Sequence, residues 1–190
     1  EMRRRVAETS YFFGMEDWLH RDTDTLSGGR KQLLSLAAVL ALRPRVLLLD
    51  EPTSQLDPVA EKNFLHALFR VNRELGCTVV VATHQPRPML EYATCAYRIE
   101  GGRVCEAAIR EGWFRYDRAS GWVLRGLDVA FSAGAVHAIV GGNGCGKSTM
   151  LSVLAKTAKL QRGHMMRGAA SAALLPQNPK ALLVAETVRD

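Results

Sequence analysis

The stretch Val140-Gly141-Gly142-Asn143-Gly144-Cys145-Gly146-Lys147-Ser148-Thr149 follows an apolar run and opens a helix-like one. From Gly141 to Ser148 it fits the pattern G-x-x-x-x-G-K-[ST]. The physics behind that pattern is a phosphate cradle. Glycines let successive backbone N–H groups turn inward on an anion, and the helix that follows presents its positive end. Lys147 supplies a point charge for the outer phosphates and Ser148 a hydroxyl ligand for Mg²⁺. Asn143, Gly144, Gly146 and Thr149 complete the set of candidate nucleotide contacts. Cys145 belongs to it as well, because such a loop works through backbone N–H groups rather than through that side chain. Most nucleotide-binding domains carry this loop early, whereas here it comes after residue 140.

Working outward, residues 136–140 read as the strand feeding the loop, and residues 147–158 as the helix after it. Residues 113–116 and 122–131 alternate enough to be antiparallel strands, with Ser132-Ala133-Gly134 as a turn. Residues 172–175 form another short apolar run, ending at Pro176-Gln177-Asn178-Pro179. Upstream, residues 2–19 carry a weak amphipathic signal, and a polar loop leads to Leu26-Ser27-Gly28-Gly29-Arg30. From Gly29 to Leu42 the apolar residues recur at helical spacing until Arg43-Pro44 stops them. Residues 45–49, apolar from Val46 onward, lead into Asp50-Glu51-Pro52, which suits a strand buried on both faces of a parallel sheet. Asp57-Pro58 starts a helix that runs to about Leu75, with Gly76 just past its end. Residues 78–82 make a second buried strand with Thr83-His84 at its carboxyl end. A short helix over residues 88–92 and a hairpin turning at Gly101-Gly102 follow. Alternating strands and helices predict an α/β fold with a mostly parallel core sheet flanked by helices, plus a small antiparallel β-subdomain. The best boundary between two halves, residues 1–108 and 109–190, lies in the stretch 106–112.

Composition agrees with an ordinary globular chain: 190 residues, 47% hydrophobic and 23% charged. A net charge of +6 is mildly basic. The cations are scattered, with Arg3-Arg4-Arg5 the one short run, which reads as a solvated helix face rather than a nucleic-acid patch. The four cysteines show no C-x-x-C or zinc-ligand spacing, which points to a reducing compartment without a disulfide framework. Trp113 and Trp122 read as strand-surface or core aromatics. The ends at Glu1 and Asp190 lead us to expect a piece of a longer protein.

An apolar strand ending in two acids has a chemical reading. Asp50 is placed to hold Mg²⁺, and Glu51 to orient or deprotonate an attacking water. His84, ending the next strand, has the reach to donate to a γ-phosphate. Order and spacing extend this. LSGGR before a helix, a strand ending in DEPTSQLD, and a strand ending in TH together resemble the ATP-binding cassette (ABC) ATPases. Residues 26–30 resemble the family's LSGGQ signature, with Arg30 in place of glutamine. Asp50 and Glu51 resemble the Walker B acids, residues 54–57 the D-loop ending in Asp57, and His84 the switch histidine. In the second half Tyr116 resembles the aromatic that stacks on adenine, residues 141–149 the Walker A loop, and Gln177 the Q-loop glutamine.

This resemblance implies a P-loop NTPase fold using ATP and Mg²⁺. Glu51 and His84 would be catalytic, and Ser148, Asp50 and Gln177 would lie at the metal. Ser27, Gly28 and Gly29 would cap the γ-phosphate of an ATP held by an opposite cassette, with Asp57 nearby. LSGGRKQ and PQNP resemble energy-coupling factor (ECF) ATPases, which drive uptake of vitamins and metal ions. The implied partners are transmembrane transporter subunits and a second cassette, in the same chain or in a homologous subunit, at the cytoplasmic face of the membrane; no nucleic acid is expected. The alternative is a non-transport tandem cassette protein, a translation factor or a chromosome-maintenance ATPase. Against it, the D-loop has Ser54-Gln55, and neither a long charged linker nor a heptad run is present.

The order is inverted relative to a single cassette, since signature, Walker B and histidine precede Walker A. Two arrangements account for it. One is a tandem, with the last part of one cassette followed by the first part of the next, so that residues 26–30 and 141–149 belong to one composite ATP site and Asp50, Glu51 and His84 to its twin. The other is a circularly permuted single cassette in which the strands at 46–49 and 136–140 share one sheet and Asp50 lies beside Lys147 and Ser148.

Overall fold

The computed structural model describes residues 1–100, 103–104, 109–165 and 171–178. In chain order the elements are α1 (Met2–Phe13), α2 (Gly28–Leu40), β1 (Val46–Asp50), α3 (Pro58–Leu75), β2 (Thr78–Thr83), α4 (Arg87–Leu90), β3 (Cys95–Glu100) and β4 (Arg103–Val104). The second half adds β5 (Arg110–Phe114), β6 (Leu124–Leu127), β7 (Val136–Val140), α5 (Lys147–Leu154), β8 (Arg162–His164) and β9 (Ala172–Leu175).

Six strands form one sheet in the order β4-β3-β7-β2-β1-β9, and β6-β5-β8 form a small antiparallel sheet. From β3 to β9 every pairing in the large sheet is parallel. Strands from the two halves of the chain interleave. β7 lies between β2 and β3, in register Val79↔Val136 to Thr83↔Val140, and β9 adds to the far side of β1. Both faces of this sheet are covered. Leu47, Leu49, Val79 and Val81 pack with Leu36, Phe64 and Leu68 of α2 and α3. Leu48, Val80 and Ala82 pack on the other face with Met150 and Leu151 of α5 and Phe114, Leu124 and Leu127 of the small sheet. Side chains alternate across a strand, so a strand buried on both sides must be apolar at every position. That is why residues 46–49 carry no polar interruption. No helix among the described residues is long and apolar enough to cross a membrane.

Local chemistry accounts for the helix ends. Asp57 Oδ1 accepts from the N–H groups of Val59 and Ala60 at 3.0 Å each, Pro58 takes the first helical turn, and Gly76 leaves α3 in the left-handed region at φ 64°. Several expectations shift. The strand expected at 113–116 runs instead over Arg110–Phe114, because its pairing with β8 begins at Arg110 and that with β6 at Gly112. The long strand expected at 122–131 contracts to Leu124–Leu127, where Gly126 takes φ 59°. The helix expected to reach residue 158 stops at Leu154, and Lys156 enters the left-handed region at φ 64°. β8, three exposed residues around a glycine, had no apolar pattern to announce it. The boundary stretch 106–112 ends inside β5; residues 106–108, Gly101-Gly102 and Pro179 lie outside the described residues.

Candidate nucleotide-binding site

β9, β1, β2 and β7 are parallel, so their carboxyl ends open on the same side of the sheet. Ligands of open α/β sheets bind at that edge. There the fold gathers the loop after β7, the Asp50-Glu51 pair after β1, His84 after β2 and Gln177 after β9.

The loop is shaped for close approach. Gly146 caps α5 at φ 101°, a region that L side chains rarely adopt. A Cβ on Gly141 would lie 2.6 Å from Cys145 Sγ and 2.8 Å from the carbonyl oxygen of Ile99. Lys147, 5% exposed, donates from Nζ to the carbonyls of Gly141 at 3.1 Å and Gly142 at 3.2 Å, which folds its chain back over the loop. Nζ also stands 3.2 Å from Glu51 Oε1. That oxygen makes no aligned hydrogen bond, so the pair is held by charge. The other oxygen, Oε2, accepts from His84 N at 3.2 Å and lies 2.8 Å from His84 Nδ1. Glu51 itself is 8% exposed and sits at φ 46°. A buried acid in a sparsely populated backbone region is a feature that clusters at functional sites.

Asp50 is held differently. Burial pushes its carboxyl above the usual range, and the Glu51 charge adds to this, while a hydrogen bond from Ser148 and the Lys147 charge oppose it. Its Oδ1 is buried with no hydrogen-bond partner among the described residues. An orphaned carboxylate oxygen beside a serine hydroxyl is a hard-oxygen donor set that fits Mg²⁺. Among the described residues no group of three or more His, Cys, Asp or Glu forms a cage, so a cation here would complete its shell with phosphate oxygens and water.

Tyr116 stands at the mouth of the loop, 70% exposed, its hydroxyl 2.9 Å from Thr149 Oγ1. Gln177 faces the D-loop, donating to Ser54 Oγ at 3.5 Å. The signature residues divide between two surfaces, one of them shared with Glu51 and Gln177. Ser27 Oγ caps α2 by accepting from Arg30 N at 3.5 Å. Leu26 and Gly28 line a cleft with Glu51, Ser54, Gln55 and Gln177, and Gly29 and Arg30 line a groove between α2 and α3. Asp57 Oδ1 is engaged by the α3 cap. Sequence reasoning missed Gln85, whose Nε2 lies 3.4 Å from His84 Nε2; adjacency to His84 was the one available signal.

A glycine-rich loop over a helix end, a buried lysine and a strand-end acid beside a serine define a P-loop nucleotide-binding fold. Residues 124–184 match the ABC transporter family model, and residues 3–87 match an AAA domain model described for the AbiEii toxin of type IV TA systems. A Bacillus cereus protein named as an ABC transporter ATP-binding protein is 32% identical over 86% of this chain and 42% of its own length. A Methanosarcina acetivorans protein of the same designation is 36% identical over 60% of this chain and 35% of its length. The methionine import ATP-binding protein MetN of Cereibacter sphaeroides is 42% identical over 56% of this chain and 30% of its length. The chain thus spans less than half the length of these relatives. In both of its halves the chain is similar to ABC ATPases.

Proposed function

We propose that the chain carries ATP-binding and ATP-hydrolysing machinery that energises a membrane transporter. The observation behind this reading is the meeting of Lys147, Glu51, His84 and the Asp50–Ser148 pair at one end of one sheet. The loop N–H groups and Lys147 hold the phosphates, and the exposed ring of Tyr116 stacks on adenine. Mg²⁺, held through Ser148 and Asp50, supplies charge neutralisation on the phosphate oxygens. Glu51 orients the attacking water and takes its proton. His84 fixes the Glu51 carboxylate through Nδ1 and its backbone N–H. Ser27, Gly28 and Gly29, at the amino end of α2, serve as the anion site for ATP held by another cassette.

The motif order supports a tandem architecture in the whole protein. The Bacillus cereus alignment covers 233 positions, more than the 190 residues of this chain, yet spans 86% of it in one piece. A relative with the same order of halves and a longer connection between them would give that result. The Lys147–Glu51 contact at 3.2 Å supports a second statement, that within this chain the two halves complete one site. The partners on this reading are transmembrane subunits and a further cassette at the cytoplasmic face of the membrane. LSGGRKQ and PQNP favour an ECF-type importer of vitamins or metal ions, although relatives of this sequence include proteins named for methionine import.

The test is ATP turnover and nucleotide stoichiometry. Wild type should bind one Mg-ATP per chain through its own Lys147 and Asp50, and Glu51→Gln should retain ATP while hydrolysing it slowly. Undiminished turnover in that variant would refute the assignment of the base.

A further inference from the structure

The small antiparallel sheet carries a group of charges that the nucleotide site does not use. Arg115 lies with its guanidinium carbon 4.6 Å from the centre of the Trp122 ring, and Arg162 lies at 5.7 Å from the same ring. Arg125 Nε donates to the Trp122 carbonyl at 3.0 Å, and Arg115 Nη1 donates to the Arg118 carbonyl at 3.0 Å. Three guanidiniums are therefore tied to one tryptophan, and a fourth arginine adjoins them. None of the three has a carboxylate partner among the described residues. Asp117, the acid nearest in sequence, has its Oδ1 taken by the N–H groups of Ala119 and Ser120. Like charges gathered without a counter-ion repel one another, whereas cation–π stacking and carbonyl bonds hold these in place. Elsewhere in the chain Arg4, Arg5, Arg43 and Arg70 each pair with a glutamate.

We propose that this face, Arg115, Arg125 and Arg162 on the Trp122 platform, docks an acidic segment of a partner protein. Guanidiniums fixed by stacking present their remaining N–H groups as preset forks, and the carboxylate matches that fork bidentately. Two other polyanions fit less well. The Trp122 ring is already engaged by two guanidiniums and by the edge of Trp113, at 5.3 Å, so it serves as a platform rather than a stacking surface for a nucleic-acid base. Among the described residues of the second half Tyr116 is the one large hydrophobic side chain strongly exposed, and its hydroxyl is tied to Thr149, so these residues offer no apolar group to insert into a lipid surface. The inference does not depend on the transport reading.

The experiment is fluorescence anisotropy of a fluorescein-labelled oligoglutamate peptide titrated with the whole chain. Binding should saturate, weaken with salt, and fall about tenfold in Arg125→Gln/Arg162→Gln, the effect of losing exposed charge-assisted contacts. Arg73→Gln/Arg87→Gln, which removes the same charge from two exposed arginines of α3 and α4, should leave it unchanged. Equal losses in both variants would reduce the effect to net charge and overturn the proposal. Absence of peptide binding, or tighter binding to phosphatidylglycerol vesicles or to oligothymidylate than to the peptide, would overturn it as well.

Discussion

Lys147 Nζ stands 3.2 Å from Glu51 Oε1, although the two residues lie far apart in the chain and on different strands' ends. Both are nearly buried, so the pair is little screened by water. Glu51 thereby occupies the lysine that a phosphate would use. Glu51→Gln keeps the shape and removes this internal competitor. Turnover should drop by about 10²–10⁴-fold, the range for a lost general base, while affinity for ADP rises. Calorimetric titration with ADP, which has no γ-phosphate to hydrolyse, separates the two effects. An ADP affinity at or below wild type would sink the competition argument.

Lys147→Ala tests the same pair from the other side. It removes the phosphate contact and leaves a buried carboxylate whose remaining neighbour is His84. Truncating one member of a buried ion pair costs about 3–5 kcal/mol. Urea denaturation should show that loss together with failure to bind ATP. A variant that loses binding at full stability would mean that Glu51 is already well solvated.

Asp50 ties stability to pH. Its folded pKa is raised above the ordinary aspartate value near 3.8, mainly by burial. Above that value the folded protein keeps a proton that the unfolded chain has released. Stability attributable to this group therefore falls as pH rises from about 4 through the raised pKa, and the deficit persists at neutral pH. Asp50→Asn should melt higher than wild type at pH 7, with the gap closing below pH 4, and should lose the stabilisation that Mg²⁺ with nucleotide confers on wild type. Thermal melts across that pH range check it.

His137 acts in the opposite direction. It is fully buried in β7 beside Tyr97 and Phe131, with Nε2 3.1 Å from the Ser132 carbonyl, and burial pushes its pKa below 6.5. The unfolded chain takes up a proton near pH 6.5 that the folded protein refuses, so stability present above that pH is lost as pH falls below it. His137→Gln should flatten the melting profile between pH 7 and 5. An unchanged slope would place the acid sensitivity elsewhere.

Gly29 has a packing role that is separable from any ligand. A Cβ there would come within 2.9 Å of the Ala60 Cβ on α3. Gly29→Ala should cost about 1–3 kcal/mol as overpacking between α2 and α3. Ala60→Gly should then recover most of that loss, a non-additivity expected of residues in contact. Chemical denaturation of the four-member cycle measures it; simple additivity would mean that the helices move apart freely.

Much of this was legible beforehand because it is local. The apolar run at 46–49 requires a strand covered on both faces, Asp57-Pro58 and Gly76 set the ends of α3 through backbone hydrogen bonding and left-handed geometry, and the glycines of 141–146 with Lys147 and Ser148 define a phosphate loop. The small sheet was read less well. Its strands are short, interrupted by Gly112 and Gly126 and irregular in register, so alternation carried little signal.

By itself the sequence marked the candidate site residues, since Lys147, Ser148, Asp50, Glu51 and His84 each sit at the end of an element whose type neighbouring residues dictate. It left open whether the first and second halves share a site. Only the tertiary structure decided that. Pairing of β7 between β2 and β3 is a long-range choice, made where Val136, Ala138 and Ile139 find buried partners on both faces of the sheet. No local pattern encodes that register, and it is the register that sets Asp50 against Ser148 and Glu51 against Lys147.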